Sequence, residues 1–359
     1  MSVSSSAHDG APIDLRSDTV TRPTAAMRAA MAAAPVGDDQ FAEDPSINLL
    51  QERCARLLGK EAALWLPTGT MANQVALKVL TRPGDDVIVS RQSHAVWHEA
   101  GASAANAGVQ FTEIGERGVF TAEEVLAARK PRGHPLYAPS TLVEVENTHN
   151  RSGGVVVPQR EAVAICAAAR AHDIASYLDG SRLWNAAVAS GTDIAELAAP
   201  FDVVSVAFSK GLGAPGGALL AGPGDLISRA VRARRMLGGA MRQVGFFAAA
   251  ALYALDHHVA RLAEDHAHAA LIADRLTGLP GIDLDRSSVQ TNILIFTLTG
   301  PDADAAAFVA EARRRGVLLV AFGARTVRAV THLDVTRGDC DTAARVIAGM
   351  LADAGSWGS

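Results

Sequence analysis

Lys210 is one of only four lysines in a chain with 29 arginines, and it directly follows the apolar run FDVVSVAF. The glycines of the segment SKGLG leave room for a planar ring to approach the amine. A lysine amine just beyond a buried strand can condense with an aldehyde. The position therefore suits a lysine that holds pyridoxal phosphate, although a surface lysine can also follow a strand.

Asp179 closes the predicted strand IASYLD, one strand–helix–strand unit before Lys210. A carboxylate at the carboxyl end of a strand lies where open α/β sheets bind ligands. There it could keep a pyridine nitrogen protonated, and that proton makes the ring an electron sink. The alternative is an N-cap for the helix LWNAAVA. The spacing to Lys210 favours the cofactor role.

Two glycine-containing segments could contact phosphate. Residues 211–216 match GxGxxG, but the following GALLAG predicts a strand rather than the helix of a dinucleotide site, so we reject a nicotinamide cofactor. PTGTMAN (67–73) joins a strand to a helix, so Gly69, Thr70 and nearby backbone N–H groups could cradle a phosphate. Thr70 could equally be a simple N-cap, and both roles are compatible.

His94 follows the predicted strand DVIVS and could stack on a planar cofactor or move a proton, although a lone histidine is more often only exposed. Trp97 and His98 add ring surface beside it. The histidines between residues 257 and 268 lack the i, i+4 spacing of helical metal ligands, so we predict no metal site. Arg182 and Arg328 are candidates for binding a substrate carboxylate, because arginine grips carboxylates in a bidentate manner.

The elements around these residues predict an α/β fold with a mostly parallel sheet. The predicted strands are 62–66, 86–90, 109–114, 141–146, 174–179, 202–208 and 217–222. Predicted helices include 70–80, 157–173 and 245–276, and the last is long enough that we expect a break near Asp256.

The domain prediction has four parts. Residues 1–13 form a mobile tail, 14–45 an extended N-terminal arm that crosses between the two domains, 46–260 the large cofactor-binding domain, and 261–359 a small α+β C-terminal domain with its linking helix.

Composition limits the partners. A net charge of −5 and 5% aromatic residues provide neither a basic field nor a base-stacking surface, so nucleic acid is not expected. No apolar run reaches the length of a membrane helix, and no signal peptide is evident. Three widely spaced cysteines form no disulfide framework, which favours the cytoplasm.

Eight segments, in this order and spanning about residues 14–337, resemble the threonine aldolase family. The family has the aspartate-aminotransferase-like fold type I and belongs to the β-eliminating lyase superfamily. The segments are DLRSDTVTRPTAAMRAAM, PVGDDQFAEDPSINLLQE, KEAALWLPTGTMANQVAL, ENTHNRSGG, LDGSRLWNAAVASG, FSKGLGAPGGALLAG, MLGGAMRQVG and VTHLDVTR.

The resemblance implies cleavage of L-threonine, L-allo-threonine or a related β-hydroxy-α-amino acid to glycine and an aldehyde, by a cytoplasmic homo-oligomer, a dimer of dimers. It implies that Lys210 binds pyridoxal 5'-phosphate covalently, that Asp179 pairs with its ring nitrogen and that His94 stacks on the ring. The remaining implied roles concern charged groups of cofactor and substrate. Phosphate would be held by Gly69, Thr70 and Arg242, the last from a neighbouring subunit, and the substrate carboxylate by Ser17, Arg182 and Arg328. The resemblance also counts Arg182 among the cofactor-binding residues.

The sequence departs from the family where many members carry a histidine and this chain has Leu136. That segment can face the β-carbon of the substrate, so the departure bears on isomer preference. His94, or a water that it positions, is the expected base for the β-hydroxyl. The alternatives are a phenylserine aldolase, an aminotransferase or another β-eliminating lyase of the same fold, and a non-catalytic protein that retains the fold.

Overall fold

The computed structural model describes residues 11–353. Its strands are β1 (Ile13–Asp14), β2 (Ala62–Leu66), β3 (Asp86–Ser90), β4 (Gln110–Ile114), β5 (Ser140–Glu146), β6 (Ala175–Gly180), β7 (Val203–Ala207), β8 (Ala218–Gly222), β9 (Ile282–Asp283), β10 (Ile293–Leu298), β11 (Val317–Leu318), β12 (Val320–Ala321) and β13 (Thr326–Val330).

Its α-helices are α1 (Ala25–Ala32), α2 (Pro45–Leu57), α3 (Gly69–Leu80), α4 (His94–Trp97), α5 (Ala102–Asn106), α6 (Ala122–Ala128), α7 (Gln159–Arg170), α8 (Leu183–Ser190), α9 (Ile194–Ala198), α10 (Gly224–Met236), α11 (Gly245–His257), α12 (Leu262–Leu276), α13 (Ala305–Arg314) and α14 (Arg337–Ala352). No helix among the described residues is both long and apolar enough to cross a membrane.

Seven strands form a mostly parallel sheet in the order β2-β8-β7-β6-β5-β3-β4. Strands β3 to β7 are parallel to their neighbours among themselves, whereas β8 is antiparallel to both β7 and β2. The central strands are buried along their whole length, as expected for a parallel sheet that is covered on both faces. The α/β prediction is confirmed, and each of the seven predicted strands agrees with the structure to within one residue at each end.

The long predicted helix 245–276 is two helices, α11 and α12, separated at residues 258–261. The break therefore falls close to the expected position. The carboxyl-terminal part of the chain forms a four-stranded antiparallel sheet, in the order β12-β13-β10-β9, and it packs with α12, α13 and α14. Its core includes Phe296, Phe308 and Ile347 and is separate from the cores on the two faces of the large sheet.

The N-terminal segment connects the two parts of the molecule. Leu15 belongs to the core of the small sheet, whereas Met27 lies in a core of the large one. Two corrections apply here. Ile13, the last residue of the predicted tail, pairs with Val317 in a strand, whereas residues 1–10 of that tail lie outside the described residues. The arm is not extended throughout, because Thr24 caps the alanine-rich helix α1 by accepting the N–H of Met27.

Candidate active site

The carboxyl ends of the parallel strands carry most of the predicted site residues. Asp179 lies at the end of β6, His94 begins the short helix after β3, and Lys210 follows β7. Glu146, which was not predicted, ends β5. Carboxyl ends of parallel strands meet at one edge of a sheet. The edge therefore collects residues that are far apart in the sequence.

Lys210 lines a cavity of about 430 Å³ at this edge. The amines of the other three lysines all have partners. Lys60 donates to the backbone carbonyl of Phe201 and Lys78 to that of Asn106, and Lys130 forms an ion pair with the buried Asp86. The side-chain amine of Lys210 makes no hydrogen bond or ion pair with any residue of the described range 11–353, and only its backbone carbonyl is bonded, to the N–H of Gly213. Burial, and then the charge of Arg182, lower the pKa of Lys210 to about 8. The amine is thus free and close to its neutral, nucleophilic form.

Asp179 is fixed by a buried polar network. Its carboxylate accepts hydrogen bonds from the Nδ2 atom of Asn73 at 2.9 Å and from the backbone N–H of Ser181 at 3.0 Å. The hydroxyl of Tyr177 donates to Oδ1 of Asn73 at 2.6 Å, which fixes the direction of the amide. Burial raises the pKa of Asp179, but the charges of His94 and Lys210 outweigh it, so the pKa is lowered. Asp179 is therefore a buried anion.

His94 is held at the cavity by two glutamates. Its backbone N–H donates to Glu146 at 2.7 Å, and its Nδ1 lies 3.1 Å from Oε1 of Glu99. Glu99 already accepts hydrogen bonds from the amides of Asn73 and Gln74, so Nδ1 of His94 is the donor in this pair. Burial lowers the pKa of His94, but the hydrogen bond to Glu99 and the charge of Asp179 raise it above its usual value.

Arg182 lines the cavity and forms a buried, bidentate ion pair with Asp18. Its Nε and Nη2 donate to the two carboxylate oxygens at 2.8 and 2.7 Å. Asn292 donates a further hydrogen bond to Asp18 at 3.1 Å. The pairing leaves only Nη1 of Arg182 without a partner in the part of the chain that the structure describes. Arg182 therefore presents one N–H edge to a ligand, not its full fork.

We expect Asp18→Asn to lower the free energy of unfolding at pH 7 by about 3–5 kcal/mol, because it leaves Arg182 buried without a counter-charge. Burial raises the pKa of Asp18, but the charge of Arg182 and hydrogen bonds hold it well below its usual 3.8. The stabilisation is therefore present above pH 3.8 and is lost as the pH falls further. Urea unfolding over this pH range measures it.

The control is Asp14→Asn, which removes a partly exposed ion pair with Arg16. Such pairs contribute about 1 kcal/mol or less. Equal losses in the Asp14 and Asp18 variants would contradict the importance of the buried pair.

Arg328 lies on β13 and faces the same cavity. Its Nη1 donates to Oδ1 of Asn150 at 2.8 Å and its Nη2 to the backbone carbonyl of Arg16 at 3.0 Å. Its guanidinium lies 4.4 Å from the centre of the Phe322 ring, and its buried Nε has no partner among the described residues. Burial, and then the charge of Arg182, lower the pKa of Arg328 to about 10, so it remains a cation at neutral pH.

The start of α3 offers unpaired donors. Thr68, and not Thr70, is the N-cap, since its side chain accepts the N–H of Met71. This corrects the predicted alternative for Thr70, whose hydroxyl forms no hydrogen bond within residues 11–353. A Cβ atom built on Gly69 would lie 3.5 Å from the hydroxyl of Ser181, which places this helix start beside Asp179. The backbone N–H groups of Gly69 and Thr70 are likewise without protein acceptors in the described chain.

The structure brings eight of the nine predicted site residues to this region. Ser17, His94, Arg182, Lys210 and Arg328 line the cavity; Asp179 is hydrogen-bonded to α3, and Gly69 and Thr70 begin that helix. Arg242 does not line the cavity in this chain. Its side chain is exposed and donates to Gln40, with Asp38 3.6 Å away.

The sequence alone did not reveal several residues of the site. Asp18, Asn73 and Glu99 bind predicted residues, and Phe322 and Arg151 line the cavity. Asp18 is adjacent to the predicted Ser17, and Asn73 lies in the predicted phosphate segment, so both were close to a recognised signal. Phe322 had no such signal, because it is one aromatic residue in a glycine-containing turn of the other domain.

Comparison with known proteins adds three findings. The family model described as beta-eliminating lyase matches residues 14–299. The low-specificity L-threonine aldolase of Escherichia coli strain K12 is 44% identical over 327 residues, which cover 90% of this chain and 95% of the relative. A solved structure of Leishmania major threonine aldolase superposes with a TM-score of 0.80 at 20% identity, covering 95% of this chain and 100% of that one.

A variant of SPT solved with PLP superposes with a TM-score of 0.73 at 17% identity, covering 96% of this chain and 88% of that one. At this level of identity the two solved structures establish the fold. The sequence match to the Escherichia coli relative establishes the family to which this chain belongs.

Proposed function

Because the chain belongs to the beta-eliminating lyase family and, within it, to the threonine aldolases, we propose that it is a pyridoxal-phosphate-dependent carbon–carbon lyase. Its substrates are L-threonine, L-allo-threonine or related β-hydroxy-α-amino acids, and its products are glycine and an aldehyde. The observation that carries the proposal is the amine of Lys210, which faces the cavity without a protein partner in residues 11–353.

The residues present fit pyridoxal phosphate. A free amine with a pKa near 8 suits an aldehyde, and a buried carboxylate suits a protonated ring nitrogen. The unpaired N–H groups of Gly69 and Thr70 suit a phosphate at the start of a twelve-residue helix. We propose that Lys210, Asp179, Gly69 and Thr70 hold the cofactor and that His94 contacts its ring. When bound, the cofactor supplies an electron sink for the substrate's α-carbon.

The substrate carboxylate is proposed to bind on the cationic side of the cavity. Arg182 offers its Nη1 and Arg328 its Nε, while Ser17 supplies a hydroxyl at the same wall. A carboxylate fixed here sets the orientation of the bonds at the α-carbon. Orientation matters because only a bond perpendicular to a conjugated ring breaks readily, so this grip selects the bond from the α- to the β-carbon.

We also propose that the protein is a cytoplasmic homo-oligomer, a dimer of dimers. All three cysteines are buried and unpaired, which suits a reducing compartment. Arg242 is close in the sequence to Met241 and Phe246, whose side chains are exposed, and contact with a second copy would cover them. In that arrangement Arg242 would bind the phosphate in the partner's site.

Product analysis tests the proposed reaction. We expect the holoprotein to release glycine and acetaldehyde from threonine, and assays of all four threonine stereoisomers and of phenylserine would define the accepted substrates. Release of ammonia and a keto acid without glycine would instead indicate a β-eliminating lyase or an aminotransferase. Absence of a visible absorbance band that responds to glycine would indicate a non-catalytic protein.

A further inference from the structure

Two histidines line the cavity beside Lys210, and they are bonded differently. His94 is tied through Nδ1 to Glu99, which also holds the amides of α3. His98, one turn later, has ring nitrogens that make no hydrogen bond with residues 11–353. The two rings are 5.5 Å apart between centroids. The cavity therefore contains one engaged imidazole and one that is free to exchange a proton.

Packing fixes the position of the His98 ring without using its nitrogens. The ring is stacked on Phe322 of the small domain, with centroids 6.1 Å apart and planes within 10° of each other. The guanidinium groups of Arg151 and Arg328 also lie over the Phe322 ring, 4.5 and 4.4 Å from its centre. His98 is thus placed on the cavity wall that adjoins Arg328, the proposed carboxylate-binding residue.

The surrounding charges favour opposite protonation states in the two rings. Partial burial and the positive charges of His94, Arg151 and Arg328 lower the pKa of His98, opposed by the carboxylate of Glu146. The pKa of His94, by contrast, is raised. A group that must accept a proton at neutral pH has to be unprotonated, and two neighbouring groups with divergent pKa values commonly divide acid and base roles.

We propose that His98 is the catalytic base that takes the proton of the substrate's β-hydroxyl, whereas His94 serves to hold the ring of the cofactor. This assignment rests on the proposed function and replaces the sequence-based expectation that His94 or a water beside it is the base.

The proton and electron balance is simple. As an imidazole nitrogen of His98 takes the hydroxyl proton, the O–H electron pair forms the second bond of the aldehyde carbonyl. The bond from the α- to the β-carbon breaks, and its electron pair stays with the glycine fragment. A proton delivered to the α-carbon then completes glycine, and His98 returns its proton to solvent, to which it is exposed.

The first test compares His98→Phe, which keeps a ring to stack on Phe322, with His98→Gln, which keeps a polar group. We expect kcat/KM for threonine cleavage to fall about 10²-fold in both variants, as is usual for loss of a general base. Exchange of the α-hydrogen of glycine with solvent should remain at the wild-type rate, since glycine has no β-hydroxyl. Trp97→Phe is the matched control, because Trp97 directly precedes His98, at the end of α4, and is outside the cavity lining; this variant should retain both activities.

The second test uses the cofactor-free protein. Imidazole resonances followed by NMR should show His98 titrating below 6.5 and His94 above it, with the lower transition absent from His98→Phe. In the holoprotein, kcat/KM should rise as the pH passes upward through the lower transition, and this limb should vanish in His98→Phe.

Three results would overturn the assignment. Full cleavage by His98→Phe would show that only the stacking matters. A parallel loss of cleavage and glycine exchange would show that His98 places the cofactor. A pKa of His98 above that of His94 would mean that His98 is the more readily protonated of the two rings, and it could then not be the base. If the wild type exchanges the α-hydrogen of glycine with solvent but cleaves no β-hydroxy amino acid, the proposed function itself is refuted, and the role of His98 is refuted with it.

Discussion

Replacing Lys210 with alanine is expected to abolish covalent cofactor and to reduce threonine cleavage by about 10⁴-fold or more, the scale of loss when a catalytic nucleophile is removed. The reason is that no other lysine amine in residues 11–353 lines the cavity, since Lys60, Lys78 and Lys130 do not border it and are bonded elsewhere. Absorbance of the purified variant and steady-state kinetics measure the two effects. The fold should persist, because the side-chain amine of Lys210 makes no hydrogen bond or ion pair with residues 11–353, and alanine keeps the backbone bond to Gly213.

Lys78→Ala is the matched control. It also removes a lysine amine that is partly buried, but this amine bonds the carbonyl of Asn106 away from the cavity. We expect full cofactor content and turnover. Covalent cofactor or undiminished cleavage in Lys210→Ala would refute the role of Lys210.

Asp179→Asn has the second-largest expected effect. The variant should bind cofactor but cleave threonine about 10³-fold more slowly, the scale of loss when one preorganised electrostatic group is removed from an active site. The physical reason is that a neutral amide cannot keep the ring nitrogen protonated. Single-turnover kinetics with saturating cofactor separate this loss of rate from weaker binding.

Asp202→Asn provides the comparison, because Asp202 accepts hydrogen bonds from Ser176 at the opposite end of the strands. Threonine cleavage by Asp202→Asn should be as fast as in the wild type. Unchanged single-turnover rates in Asp179→Asn would show that Asp179 is not needed to keep the ring nitrogen of the cofactor protonated.

Much of the fold could be predicted from the sequence, because buried parallel strands are visible in it as short continuous apolar runs. The runs ending at Asp179 and before Lys210 placed both side chains at the carboxyl edge of the sheet. Their chemical types then indicated the cofactor. Local signals of this kind are sufficient when a residue's position follows from the strand that carries it.

The rest of the site depends on contacts that no local pattern encodes. Asp18 and Arg182 are 164 positions apart, so their pairing requires the crossing of the N-terminal segment. The choice of Thr68 over Thr70 as the N-cap depends on where the helix begins, which periodicity does not fix to one residue. Similarly, Phe322 meets His98 only because the small domain folds against the large one.

The most direct test of the central claim is borohydride reduction of the holoprotein, followed by mass spectrometry of its peptides. Our account predicts a single pyridoxyl label, on the Nζ atom of Lys210. A label on Lys60, Lys78 or Lys130, or no label at all in protein that cleaves threonine, would contradict it.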